Sequence, residues 1–151
     1  MSNTTTFEEV LEKEGTLIYT NVGDSMFPLI REGRDLIVIS KCNGRPNKYD
    51  VPLYKRNDGK YVLHRIIKVR DEDYLICGDN RWRIEKGITD RNIIGVLTRV
   101  IRDGEELSFD SGKYKIYEFF WCTLFPVRAG VLWVRDLPGR VLRKFKRKWL
   151  K

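Results

Sequence analysis

Four side chains of this 151-residue chain could combine into one piece of chemistry: Ser25, His64, Asp79 and Glu85. A serine hydroxyl is a weak nucleophile at neutral pH. It becomes useful when a base within hydrogen-bond reach takes its proton and a donor holds the oxyanion that forms. The chain contains one histidine, so His64 is the only imidazole available as that base. A carboxylate then fixes the tautomer of the ring and stabilises the imidazolium. Asp79, in CGDN at 77–80, and Glu85, six residues further on, are the candidates for that third role. The reaction such a set supports is acyl transfer, beginning with attack on a carbonyl carbon. Each residue also has a plain structural reading. Ser25, within GDSMFPL at 23–29, reads as a turn residue, and Asp79-Asn80 as a tight turn. His64 alternates with Val62 and Ile66 in KYVLHRIIKV, so it shares a strand face with two aliphatics and reads as a paired core or edge residue.

The elements that would position these groups are visible in the local pattern. Residues 5–13, TTFEEVLEK, read as a short helix capped by Thr5 or Thr6, with acidic residues in its first turn. From Thr16 the pattern changes to short β-branched and aromatic runs: TLIYTNV, DLIVIS, VPLYKR, KYVLHRIIKV, DYLICG and IIGVLTRVI. Turn signals separate them, namely EGRD, KCNGRPNKYD, RNDGK, RDED and GDNRWRIEKG. Asp58-Gly59 inside RNDGK is a strong hairpin signal. Strands without helical crossovers predict a mainly β, antiparallel domain. The division that follows is a helix over 1–14, a β domain over 15–110 and a C-terminal helical segment over 111–151.

Charge is uneven along the chain. The net formal charge is +8, while 135–151 holds eight Lys/Arg against one Asp, a net of +7, so the body is close to neutral. Residues 114–134 are aromatic and aliphatic and about long enough to cross a bilayer, which takes ~20 apolar residues. Glu118, Pro126 and Arg128 argue against a single span and predict two helical pieces broken at Pro126. The following VLRKFKRKWLK interleaves apolar and basic residues, the pattern of an amphipathic helix on an anionic membrane surface. The alternatives are a helix that packs on the β domain with its basic face in water or, with less support, a contact with nucleic acid phosphates. The three cysteines, Cys42, Cys77 and Cys122, have no zinc spacing and form no even disulfide framework. With one histidine, no metal site is expected and no cofactor is called for. The first fifteen residues are polar and acidic, without the apolar stretch of a secretory signal.

Order along the chain adds what the separate motifs lack. GDSMFPLIREGRDLIVI (23–39), DVPLYKRNDGKYVLHRIIKV (50–69), CGDNRWRIEKGI (77–88) and IIGVLTRVI (93–101) succeed one another as in the type I signal peptidases and the LexA-like self-cleaving repressors related to them. The chain resembles that group over roughly residues 15–102. The resemblance implies an antiparallel coiled sheet or partly open barrel carrying a serine endopeptidase that cuts signal or leader peptides, with substrate bound as an extended strand. His64 falls where many members have a lysine base, so the chain looks like the Ser/His type. Ser25 would then attack, His64 would act as base and then acid, and Asp79, in the motif, would be preferred over Glu85 as the orienting acid. Gly23 stands where many members have a small hydroxyl residue that can donate to the oxyanion. In the family a membrane anchor precedes the serine motif. Here a short polar segment does, so membrane contact at the cytoplasmic face is expected through 114–151, or a cytoplasmic location if that segment only packs on the domain. The rival reading is a catalytically weak or inactive module on the same fold that binds a peptide or a membrane.

Overall fold

Turns at the positions of the glycine- and aspartate-rich signals divide the body into short antiparallel strands. The computed structural model describes residues 5–109 and 111–139, so the basic stretch VLRKFKRKWLK lies outside the described residues. Helix α1 (Phe7–Glu14) starts at a capping box in which Thr6 and Glu9 satisfy each other's backbone N–H. It ends at Gly15, whose φ of 74° lets it donate back to Leu11 O. Leu11 is its buried residue and enters the main core.

The strands are β1 (Thr16–Thr20), β2 (Leu36–Lys41), β3 (Pro52–Lys55), β4 (Tyr61–Leu63), β5 (Arg65–Val69), β6 (Tyr74–Cys77), β7 (Glu85–Ile88), β8 (Ile93–Arg102) and β9 (Glu105–Leu107). One sheet runs β1-β2-β8-β3-β4, with β9 also on β8, and it curls into a half-barrel. The other is β5-β6-β7. Long β8 organises the larger sheet, since β2 lies along it while β3 and β9 pair with its first and last residues. Met26, Ile30, Ile37, Ile39, Leu53 and Val100 fill the core of that sheet without solvent exposure. Tyr54, Ile66, Tyr74, Ile76 and Ile88 form a second core joining the two sheets.

The prediction of a mainly antiparallel β domain holds at this level. Two strands were not anticipated. Glu85–Ile88 begins inside the predicted turn GDNRWRIEKG and runs one residue past it, and Glu105–Leu107 is short and charged. KYVLHRIIKV is not one strand but two. The chain leaves the larger sheet at Leu63 and enters the smaller at Arg65, with His64 at the corner. The expected alternation of faces therefore fails, and Leu63, His64, Arg65 and Ile66 are all buried, because the corner is covered from both sides.

Helices α2 (Gly112–Thr123) and α3 (Phe125–Arg135) follow. Ser111 caps α2 by accepting from Tyr114 N–H. The chain breaks at Leu124, and Pro126 occupies the first turn of α3, where its missing N–H leaves no bond unmade. No helix among the described residues is long and apolar enough to cross a membrane.

Candidate active site

Ser25 lies on a loop tied down at both ends. Met26, Leu29 and Ile30 are buried on its inner side. At its far end Asp35 accepts two hydrogen bonds from Arg102, at 3.1 and 2.6 Å, and one from Arg31 N–H at 2.9 Å. At its near end Asn21 Nδ2 donates to Gly23 O (3.0 Å) and Gly23 N–H donates to Glu32 (2.6 Å). Gly23 has a φ of 94°, a conformation L side chains avoid, so a glycine is required by this turn. The side-chain donor is therefore absent. The N–H of Ser25 has no hydrogen-bond partner among the described residues and is available to an oxyanion.

The turn after β6 is stitched to this loop. Asn80 N–H donates to Ser25 O at 2.8 Å, and Asn80 Nδ2 reaches both Asp24 O (3.2 Å) and Asp24 Oδ2 (2.9 Å). Arg81 Nη2 adds a contact to Asp24 Oδ1 at 2.5 Å. Gly78 makes this closeness possible. A Cβ there would lie 2.6 Å from Ser25 O and 3.0 Å from His64 Nε2. The serine loop, the histidine ring and the glycine turn thus meet at one point, and the ring atom that reaches it is Nε2.

The other side of the ring meets a carboxylate, and it is Glu85. His64 Nδ1 lies 3.0 Å from Glu85 Oε1. Arg56 also pairs with Glu85, its Nε at 2.7 Å from Oε2 and its Nη2 on Oε1. Burial raises the Glu85 carboxyl, but the hydrogen bonds from His64 and Arg56 outweigh it and hold the group at about 2. An ionised carboxylate can only accept, so Nδ1 carries a proton in this pairing, and in the neutral ring the lone pair is then on Nε2. Tyr54 completes the surroundings, its hydroxyl 3.3 Å from Nδ1. Burial, reinforced by the charge of Glu85, keeps that phenol protonated.

The expectation that Asp79 orients His64 is corrected. Asp79 is fully buried and gives both oxygens to Arg65, at 2.9 and 2.8 Å. Tyr117 OH donates to Asp79 Oδ2 at 2.8 Å, and Arg128 lies 3.7 Å from Oδ1. Arg65 follows His64 and Asp79 follows Gly78, so this pair fastens the histidine corner to the glycine turn from behind. Asp79 is occupied there and makes no hydrogen bond to the ring. Tyr54 and Arg56 were not anticipated as members of the site. Arg56 opens the Asp58-Gly59 hairpin, and nothing in its spacing marks a partner 29 residues away.

Ser25 and His64 line one groove of about 520 Å³ together with Tyr19, Asn21, Val22, Tyr61 and Val62. Its walls come from the end of β1 and from β4, the strands at either end of the β1-β2-β8-β3-β4 order, with the ring of Phe7 of α1 in tilted contact with both Tyr19 and Tyr61. Among the described residues Ser25 Oγ has no hydrogen bond to His64. Such bonds often form only when substrate closes the site. Searches of family models, curated proteins and solved structures found no match to this chain.

Proposed function

We propose that this chain is a serine endopeptidase of the signal-peptidase-like group. Ser25 is its nucleophile, His64 its base and Glu85 the acid that orients the ring. The observation that carries the reading is the arrangement around His64, with Nδ1 held by an ionised Glu85, Nε2 reaching the Gly78 turn against which Ser25 O also packs, and Ser25 and His64 lining one groove. In the mechanism that follows, a peptide lies in the groove as an added strand against an exposed sheet edge. His64 Nε2 takes the Ser25 hydroxyl proton as Oγ attacks the scissile carbonyl. The Ser25 N–H stabilises the oxyanion, and the imidazolium is stabilised by Glu85. The proton then passes to the leaving amine, and water, activated by the same nitrogen, releases the acyl group. With one backbone donor identified and Gly23 offering none from a side chain, turnover is expected to be slow, since a single oxyanion donor is worth ~10²–10³.

The half-barrel sheet and its edge-strand groove support the peptidase-type fold that the motif order implies, and signal or leader peptides remain the substrate class it suggests. A second reading is a peptide-binding module without catalysis, favoured by the absence of a bond between Ser25 Oγ and His64. Incubation with a proteome-derived peptide library separates the two. The peptidase reading expects a set of cleaved bonds that disappears in both Ser25→Ala and His64→Ala while the thermal midpoint is kept. Cleavage unchanged in either variant would overturn it. Retained peptide binding with no cleavage by the parent chain would establish the second reading.

A further inference from the structure

The two C-terminal helices present two unlike faces. The inner one grips the turn beside the candidate active site. Trp121 Nε1 and Arg128 Nη1 donate to Asp79 O at 3.0 and 2.7 Å, and Arg135 Nη1 donates to Asn80 Oδ1 at 2.6 Å. Arg128 is itself buried, its guanidinium packed over the rings of Trp121 and Phe125. The outer face carries Ile116, Phe119 and Phe120 on α2 and Val127, Val131 and Val134 on α3, each between 55 and 64 % exposed. Their spacing sets each trio on one stripe of its helix, so the exposure is a property of a face and not of scattered residues. Apolar surface of this kind, in a stripe on each of two consecutive helices, marks an interaction site.

The geometry points to an anionic lipid bilayer as the surface that covers this face, with α2 and α3 lying along it. Three observations select that occupant. First, the chain that continues from α3 is strongly cationic, with a net of +7 over 135–151 and aromatic and aliphatic residues among the charges. A membrane with acidic headgroups takes up the apolar stripe and the cations together. Second, a chain with a net charge of +8 favours an acidic partner over a second, equally positive copy of itself. Third, the helices have 12 and 11 residues, roughly 18 and 17 Å at 1.5 Å per residue, too short to cross a core of about 30 Å but suited to lying in the interface. On the peptidase reading, which this consequence rests on, the grip of the inner face on Asp79 and Asn80 holds the site about one helix diameter, ~10 Å, from the lipid. The favoured substrates would then be segments that emerge close to a membrane surface.

Cosedimentation of the full chain with vesicles tests the inference without using cleavage as a readout. The vesicles are phosphatidylcholine alone and phosphatidylcholine mixed with phosphatidylserine. The wild-type chain should partition onto the mixed vesicles at least ~10-fold more strongly than onto the neutral ones. Phe119→Asp combined with Val127→Asp should lower that partition ~10-fold or more, because both side chains are already exposed and the change removes apolar insertion, not core packing. Circular dichroism and the thermal midpoint check that the variant is folded. Equal binding by variant and wild type, or no partition onto the mixed vesicles, overturns the inference. So does a dimer, seen by light scattering and lost in the variant, in a chain that ignores lipid. Lipid binding without peptide cleavage would leave this inference standing and remove only the peptidase reading.

Discussion

Asp79 and Glu85 lie six residues apart on the same stretch of chain, yet their surroundings differ in kind. Asp79 has no exposed side-chain surface, and its oxygens are taken by Arg65 and Tyr117 with Arg128 nearby. Glu85 keeps 23 % of its side chain in solvent and divides itself between His64 and Arg56, two residues that line the groove. A buried carboxylate with a bidentate arginine is a fastening, because moving either charge out of the pair is costly. A partly exposed carboxylate, held ionised beside an imidazole, can answer a change of charge on that ring. Identical chemical groups thus take different work from burial and partners, and the residue in the more recognisable motif is the structural one.

The sharpest way to break this contrast is to remove the charge of each acid in turn. Glu85→Gln should lower peptide turnover by ~10⁴, the size of loss seen when the orienting acid of a comparable triad is neutralised, which is about 5.5 kcal/mol of barrier. Its stability at neutral pH should fall by no more than ~2 kcal/mol, so the variant stays folded. A turnover within tenfold of wild type would remove Glu85 from the mechanism. Asp79→Ala should act the other way round, costing ~3–5 kcal/mol of folding stability by stranding the buried Arg65 charge. Pairing it with Arg65→Met should restore most of that loss in denaturant titrations. Failure of the double variant to recover would mean that the pair does more than fasten two segments.

The smallest effect is on acid stability. The Glu85 carboxyl sits at about 2 against an ordinary 4.5, so its contribution to folding is complete above pH ~4.5 and is lost as the pH falls toward about 2. Partial exposure limits that contribution to no more than ~2 kcal/mol. Asp24, held low by Arg81, and Asp35, where Arg102 outweighs burial, lose stability in the same direction. The difference between wild type and Glu85→Gln isolates the Glu85 part. Parallel acid-unfolding curves would show that the His64 and Arg56 contacts contribute nothing.

Much of the fold is legible along the chain because its determinants are local. The capping box of Thr6 and Glu9 starts α1. Asp58-Gly59 forms the β3–β4 turn, where Gly59 takes a φ of 83°. β-branched runs become β1, β2 and β8. Ser25 and His64 are marked by type, and both reach the same groove. The choice between Asp79 and Glu85 is not local. It depends on Arg65 reaching Asp79 and on Arg56 reaching Glu85, pairings set by how the two sheets meet at the His64 corner. β7, which carries Glu85, hides its strand character behind two charges and Gly87, whose φ is 74°. Alternation also misled at His64, since a chain passing from one sheet to another buries both of its faces. The clamp of Trp121 and Arg128 on Asp79 O has no sequence signature, because a backbone carbonyl is its target.

The pairing of His64 with Glu85 can be read directly by ¹⁵N NMR of the imidazole in the untagged chain, which holds one histidine and therefore gives one set of ring signals. At a pH where the ring is neutral, the structure predicts a proton on Nδ1 and a lone pair on Nε2, with the Nδ1 signal perturbed in Glu85→Gln. A ring protonated on Nε2, or an Nδ1 signal indifferent to Glu85→Gln, would contradict the assignment of Glu85 as the residue that prepares His64 to act on Ser25.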